Sequence, residues 1–399
     1  MHGSHPPEMR SLQAPLGFFS PEAVGADEER PGMLRAATLG DPDDPDSLDY
    51  HQCELFDLSS AQSSASNLDT MGFDTIDLGP LPDMQALLER VRSAGEISVE
   101  DARSLRRGLT GRVFRLNGGK CLRLLSIAPE GLIMRKSGPN DLKPDPDVEM
   151  SEMNGHGAAR AIHGDQDVRG TPLKQIMRGN APWLFRHQTP NGSNRWSPLM
   201  LVNLWIPLDQ VTRPLTLMDR SSLDGRRHQL RYALPTDAFL DRDADMVVND
   251  IWTFLHHAGQ RWYFHSELDA RRAYVFDTLG TPHGAVILPG EDVVERYYIQ
   301  LCEVAAAVQH GELQAATERA RAAGRAVLEG STPALQHAVT AMQALLREAA
   351  DGFAPGTEDW LRRVDATCDR LIRKSIEMRV VALLLPDCWP FNRTVAASG

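Results

Sequence analysis

The chain has 399 residues, of which 42% are hydrophobic, 24% charged and 6% aromatic, and its formal net charge is −12. That length supports a large core in one or two domains. The diffuse acidic balance argues against a nucleic-acid partner, because no basic stripe is left to neutralise phosphates, and against an anionic membrane surface. The five cysteines (53, 121, 302, 368 and 388) are scattered and lack C-x-x-C spacing. They read as buried thiols of a reduced, cytoplasmic protein rather than a disulfide framework or zinc knuckle. The opening segment is not expected to be a signal peptide, and the longest apolar stretch, Val380 to Pro386, is too short to span a bilayer.

Residues 1–50 are rich in Pro, Gly, Asp and Glu and read as a flexible arm, with Asp41 to Asp46 as an exposed linker. Asp83 to Ala94 has helical spacing with Asp83 as N-cap, and Val99 to Leu109 reads as a second helix. Leu122 to Met134 reads as a strand pair turning at Pro129 to Gly131. The polar stretch 136–160 reads as a long loop leading to the first chemical motif. Pro198 to Pro207, Arg261 to His265, Arg272 to Phe276 and Tyr297 to Leu301 read as short strands. Their spacing suggests a β-sandwich or jelly roll. Beyond Cys302 the period becomes helical, over Glu303 to Leu328, Pro333 to Ala350 and Glu358 to Leu385. The division expected is an arm (1–50), a central strand-rich domain (51–302) and a C-terminal helical region (303–399). The apolar faces of those helices offer either a cover for the core or a homodimer surface.

The sharpest local signal is Ile162-His163-Gly164-Asp165-Gln166. Residues two apart on an extended segment point to one side, so His163 and Asp165 can share one metal. Imidazole and carboxylate suit Fe(II), and a distant second histidine completes a facial triad with open positions for a 2-oxo acid and O₂. His283, in the turn after Asp277, sits at the edge of the apolar run Val286 to Leu288 and suits that role. Arg296 follows it, at the entry to the Tyr297 to Leu301 run, where it could clamp a carboxylate. Competing donors are His265 with Glu267, the adjacent pair His256 and His257, and His156. Asn203 and Trp205 share one face of a strand.

Several ordered segments carry a resemblance. They are Leu68-Asp-Thr-Met-Gly-Phe73, the His163 motif, Val202-Asn-Leu-Trp-Ile-Pro-Leu208, Pro214-Leu-Thr-Leu-Met-Asp219, Arg261-Trp-Tyr-Phe264, and Asp277 to His283. Together they resemble the iron(II)/2-oxoglutarate oxygenase family that includes the cephamycin methoxylation subunit CmcJ, the fungal gibberellin desaturase and AsaB-like hydroxylase/desaturases. Two positions depart from the pattern: Ile206 stands for an Arg and Gln260 for a His.

The resemblance implies an α+β protein with a double-stranded β-helix (jelly-roll, cupin-like) core, flanking helices and a C-terminal helical extension. It implies metal ligands at His163, Asp165 and His283, and a 2-oxoglutarate-binding Arg296 followed by Tyr298 where relatives often carry Ser. Asn203 is expected to face the cosubstrate, and Trp205, Arg261 and Trp262 to face substrate. The implied cofactor is Fe(II), with 2-oxoglutarate and O₂ as cosubstrates. The implied reaction is hydroxylation or desaturation of a small-molecule or peptide substrate of secondary metabolism. The rival readings are a non-catalytic, oxygenase-like partner subunit and another metal-dependent enzyme on a cupin-like barrel.

Overall fold

The structure is a computed structural model. It describes residues 9–36, 48–60, 66–128, 131–143, 151, 153–190, 192–209, 211–235, 248–353 and 356–388. Asp41 to Asp46, read above as a linker, lies outside the described residues, as does most of the turn at 129–131.

Helices and strands combine around two large, mostly antiparallel sheets. The larger has ten strands and includes His163–Gly164 and His283–Ala285, which are neighbours. The smaller path carries, in order, the strands Phe73–Asp77, Arg272–Asp277, Leu199–Asp209, Arg373–Pro386, Lys120–Ile127 and Val113–Leu116.

Alternation along the smaller sheet explains where the site can be. On Leu199–Asp209 the even positions Met200, Val202, Leu204, Ile206 and Leu208 are buried in one apolar layer. On Arg373–Pro386 the even positions Ile376, Met378, Val380, Ala382 and Leu384 join it. The helices Pro82–Ala94 and Val99–Leu109 cover that face with Leu87, Leu88, Val91, Leu105 and Leu109. Both helices fall where periodicity puts them, although Leu81 rather than Asp83 is the first N-cap.

The odd positions point the other way, as a strand's period of two requires. Trp205, Tyr274 and Phe276 meet Leu215, Leu217 and Tyr263 of the larger sheet between the two layers. Arg373, Glu377 and Arg379 lie on the same side as Trp205 and line a cavity with it.

Four sequence-based expectations are corrected. First, residues 11–36 are not a free arm: Ser11–Phe19 pairs along its length with Leu48–Asp57 in the larger sheet. The alternating apolar positions Leu12, Ala14, Leu16 and Phe18 are masked in composition by Pro15 and Gly17. Second, Lys120–Ile127 and Ile133–Ser137 do not form a hairpin. Both pair with the one long strand Arg373–Pro386.

Third, Tyr297 to Leu301 is helical, inside Glu291–Gln309. Val294, Tyr297, Leu301, Val304 and Val308 recur at helical spacing and are buried. Fourth, the C-terminal region is not wholly helical. The helix Thr357–Leu371 gives way to the strand Arg373–Pro386, which occupies the middle of the smaller sheet. The helices between Glu291 and Leu371 are therefore an insertion between two sheet strands. Their apolar faces are continuous with Trp252, Phe254 and Trp262 of the larger sheet.

Candidate metal centre

His163 and His283 face each other across a strand pair, in direct register. Their rings lie 4.4 Å apart, centroid to centroid. Each ring is fixed in the same manner: Nδ1 of His163 donates to the Ala161 carbonyl and Nδ1 of His283 to the Thr281 carbonyl, both at 2.9 Å. A carbonyl only accepts, so these bonds place the proton on Nδ1 and turn the Nε2 lone pairs towards Asp165, where they can bind a cation. Both Nε2 atoms look at Asp165, at 3.6 Å from one carboxylate oxygen and 3.7 Å from the other.

Among the described residues these three form the one cluster of three or more His, Cys, Asp or Glu side chains whose ligand atoms lie within 4.8 Å of one another. Ligands about 2.1 Å from a divalent ion and at right angles stand about 3 Å apart, so the donors need only a small closure. Two neutral nitrogens and one carboxylate match a facial triad that leaves open coordination positions.

The local sequence explains the placement. Gly164 lies in the strand, where a Cβ would come to 3.3 Å from Trp252 Cβ. It is a close-packing residue rather than a surface-turn glycine. Asp277 is fully buried; it accepts from the Leu279 N–H and pairs with Arg220, which anchors the turn leading to His283. Gly72 has φ +90°, and a Cβ there would meet Thr281 Oγ1 at 2.5 Å. The Thr281 hydroxyl donates to the Gly72 carbonyl, so the early Gly-Phe segment braces the His283 turn.

Burial pushes the Asp165 carboxyl up, but His283, the bond to His163 and the charge of Arg379 outweigh it and leave it well below the usual carboxylate range. Burial, together with His163, pulls His283 down to about 4. The imidazole is therefore neutral at neutral pH, the form that binds a metal.

Asn203 is fully buried and holds the carboxylate. Its amide nitrogen donates to Asp165 Oδ2 and, at 3.0 Å, to Glu377 Oε1. The Thr278 hydroxyl donates to its amide oxygen at 2.7 Å, which fixes which way the amide points. Asn203 is thus tied to Asp165 and Glu377 and is not among the residues that line the cavity into which the three donors open. Asn203→Leu is expected to weaken Co(II) affinity about 10–100-fold, the usual cost of an outer-shell partner, as measured by titration of the metal-free protein. Unchanged affinity would show that the amide does not position Asp165.

The three donors open into a cavity of about 230 Å³ that is also lined by Arg135, His156, Trp205, Leu215, Arg373, Glu377 and Arg379. Trp205 is thus brought to the site as expected. Arg373 is the most informative wall residue. It is 3% exposed and has no carboxylate partner among the described residues. Its Nη atoms reach the Arg213 and Gly157 carbonyls at 3.3 and 3.4 Å, and its Nε has no partner. Burial, with Arg213 and Arg135 nearby, pushes its pKa down to about 9. Glu377 is raised by burial and by Asp165, against the pull of Arg135 and Arg379.

Four expected site residues are not brought together with the triad. Arg296 sits on the exposed face of Glu291–Gln309 and lines a separate surface cleft with Tyr297, Glu303 and Arg325. Tyr298 is half-buried on the same helix beside Cys302. Arg261 is exposed and pairs with Asp219 at 2.5 Å. Trp262 is buried in the apolar layer shared with the inserted helices. Arg135, Arg373, Glu377 and Arg379 were missed. The signal for the last three was present: Arg373, Ser375, Glu377 and Arg379 alternate with Ile376, Met378 and Val380, a period of two in a stretch read as helix.

Of the competing donors His156 lines the triad's cavity, while His256 and His265 are engaged elsewhere. His256 stacks on His51 at 4.0 Å. His265 is buried, with Nδ1 2.7 Å from Ser59 Oγ, while Glu267 is exposed. Burial, aided by Arg272, holds His265 down to about 4 from 6.5. A folded pKa below the unfolded one gives stability that is complete above 6.5 and is lost as pH falls towards 4. The full loss from this one residue is on the order of 3 kcal/mol. Urea unfolding of His265→Asn across that window is expected to show a flatter acid fall than wild type; identical pH profiles would contradict it.

The described cysteines are free thiols; Cys53, Cys121 and Cys368 are buried, whereas Cys302 and Cys388 are exposed. No helix among the described residues is long and apolar enough to cross a membrane.

No family model and no curated protein matches the chain. Among solved structures it is similar to the iron and α-ketoglutarate-dependent endoperoxidase NvfI, at 13% identity and a TM-score of 0.44, covering 94% of this chain and 98% of that one. A second structure of NvfI in a different conformation gives 12% identity and a TM-score of 0.46, over 96% and 99%. The chemical reading rests on the site's own geometry.

Proposed function

We propose that the chain is a non-haem Fe(II) oxygenase that consumes 2-oxoglutarate and O₂, and that its two sheets form a double-stranded β-helix. One observation carries the reading: the convergent donors of His163, Asp165 and His283 share a cavity with the buried guanidinium of Arg373, which makes no ion pair with a carboxylate of a described residue. The donor set fits Fe(II), being two nitrogens and one oxygen. When bound, iron with its cosubstrates would supply the oxidising power for C–H cleavage, which no side chain here can supply.

The protein's part is placement and charge. His163 and His283 offer Nε2 because Nδ1 is tied to the backbone. Asp165 offers an anionic oxygen while Asn203 fixes the carboxylate's orientation. Arg373 is suited to hold the far carboxylate of 2-oxoglutarate, the role the sequence assigned to Arg296. A guanidinium that lacks an anion inside the protein is made good by one that arrives with the ligand. Arg135 and Arg379 leave the wall rich in positive charge, which favours a dianionic cosubstrate. Trp205 and Leu215 supply an apolar wall that keeps water from the reacting centre.

The organic substrate is a small molecule or a peptide residue of secondary metabolism, hydroxylated or desaturated according to its placement. Anaerobically reconstituted protein is expected to convert 2-oxoglutarate to succinate on admission of O₂, above the rate of iron in buffer. No iron-dependent succinate, with iron nevertheless retained, would favour the reading of another metal-dependent enzyme. No iron retained would favour the non-catalytic partner subunit.

A further inference from the structure

The acidic average of the chain conceals a basic stretch free of carboxylates. From Val168 to Leu208 there are five cations (Arg169, Lys174, Arg178, Arg186 and Arg195) and no Asp or Glu. Arg169, Lys174, Arg178 and Arg195 are exposed, and none pairs with a carboxylate of a described residue; Arg186 pairs with Asp69. The same stretch gathers large apolar side chains in water: Trp196 is 95% exposed, Trp183 83% and Ile176 62%. Single exposed apolar residues are ordinary. Two nearly bare tryptophans among unpaired cations are not.

The two tryptophans belong to one surface. Trp183 lies in the short helix Ala181–Leu184, and Trp196 follows the strand Gly192–Asn194. The Asn194 side chain donates to the Trp183 carbonyl at 2.8 Å, and the Ser197 hydroxyl donates to the Leu184 carbonyl. Beside them a cleft of about 700 Å³ is lined by Gln188, Ser193, Arg195, Arg226 and the acidic Asp224, and by Arg220, which is paired with Asp277.

We propose that this surface docks the protein on an anionic phospholipid bilayer. Trp183 and Trp196 enter the interfacial layer, while Lys174, Arg178 and Arg195 meet the headgroups. Tryptophan favours the membrane–water interface, and nearby cations add attraction to acidic lipids. The shape favours a bilayer over a protein partner. The side chains project from a one-turn helix and from the end of a hairpin strand, and a fluid surface accepts such projections without a matching cavity. The binding is peripheral and stands apart from the iron reading.

The test is sedimentation of the full chain with phosphatidylcholine vesicles, with and without about a third phosphatidylserine. Wild type is expected to partition at least about tenfold more strongly to the anionic vesicles, and added salt to weaken this. Trp183→Ser with Trp196→Ser is expected to reduce partitioning about tenfold or more, with unchanged thermal stability because both side chains are exposed. Arg178→Gln with Arg195→Gln is expected to lower the preference for phosphatidylserine while sparing the weak binding to phosphatidylcholine. Equal partitioning to both vesicle types, or a double-Trp variant that binds like wild type, would overturn the proposal. So would tryptophan-dependent retention on a polyglutamate matrix without vesicle binding, which would assign the surface to an acidic protein.

Discussion

Arg373→Gln is expected to raise the KM for 2-oxoglutarate about a hundredfold, whereas Arg296→Ala leaves it within about twofold, since a charge-assisted bidentate pair is worth roughly 3 kcal/mol and a remote arginine nothing. Arg373 lines the cavity that holds the three donors; Arg296 lines a different cleft. The same substitution should not unfold the protein. The Arg373 guanidinium is buried with no carboxylate of a described residue in ion-pair contact; burial together with Arg213 and Arg135 pushes its pKa down to about 9, against the pull of Asp141 and Glu377. A poorly compensated buried charge is destabilising, so Gln is expected to leave the melting temperature equal or higher. A higher KM with a sharply lower melting temperature would mean that Arg373 is structural. An Arg296 variant that loses 2-oxoglutarate would restore the sequence-based assignment.

The contrast between these arginines shows which parts of the site were readable in the chain. His163 and Asp165 were legible because side chains two apart on an extended segment face the same side, a constraint local in sequence. His283 was legible because the segment from Asp277 must build a turn, and Asp277 does so by burying its carboxylate under Arg220 and the Leu279 N–H. The proposed clamp, Arg373, was not legible by proximity in sequence. The helices from Glu291 to Leu371 interrupt the sheet after His283–Ala285, so the next sheet strand begins at Arg373.

The helices Pro82–Ala94 and Val99–Leu109 were readable from their apolar spacing alone. The strand Arg373–Pro386 was not, because apolar residues on its helix-covered face and charged residues on its cavity face together resemble a continuation of the preceding helix. Strand Ser11–Phe19 was hidden for a different reason: Pro and Gly dominate the composition around it, while the pairing that orders it lies with Leu48–Asp57.

The second large effect concerns the metal donors. His163→Ala and Asp165→Ala are each expected to lower divalent-metal affinity by more than the 10–100-fold that an outer-shell change costs, and to abolish 2-oxoglutarate turnover. Removing His163 leaves the Ala161 carbonyl without its imidazole donor and takes away one of three donors. Removing Asp165 takes away the one anionic donor of the triad and leaves the Asn203 amide with Glu377 as its remaining carboxylate partner. Equilibrium dialysis against Co(II) separates the loss of metal from a loss of chemistry. Variants that retain metal as wild type does would show that the cation lies elsewhere.

Iron and 2-oxoglutarate are proposed to share the cavity between the two sheets. The most direct test of this is an anaerobic titration of the metal-free protein with Fe(II) and then 2-oxoglutarate, following the weak visible charge-transfer band of the chelate. Wild type is expected to develop the band, His163→Ala to lack it, and Arg373→Gln to require far more 2-oxoglutarate to reach it. Iron binding to wild type without any such band, at saturating 2-oxoglutarate, would contradict the account.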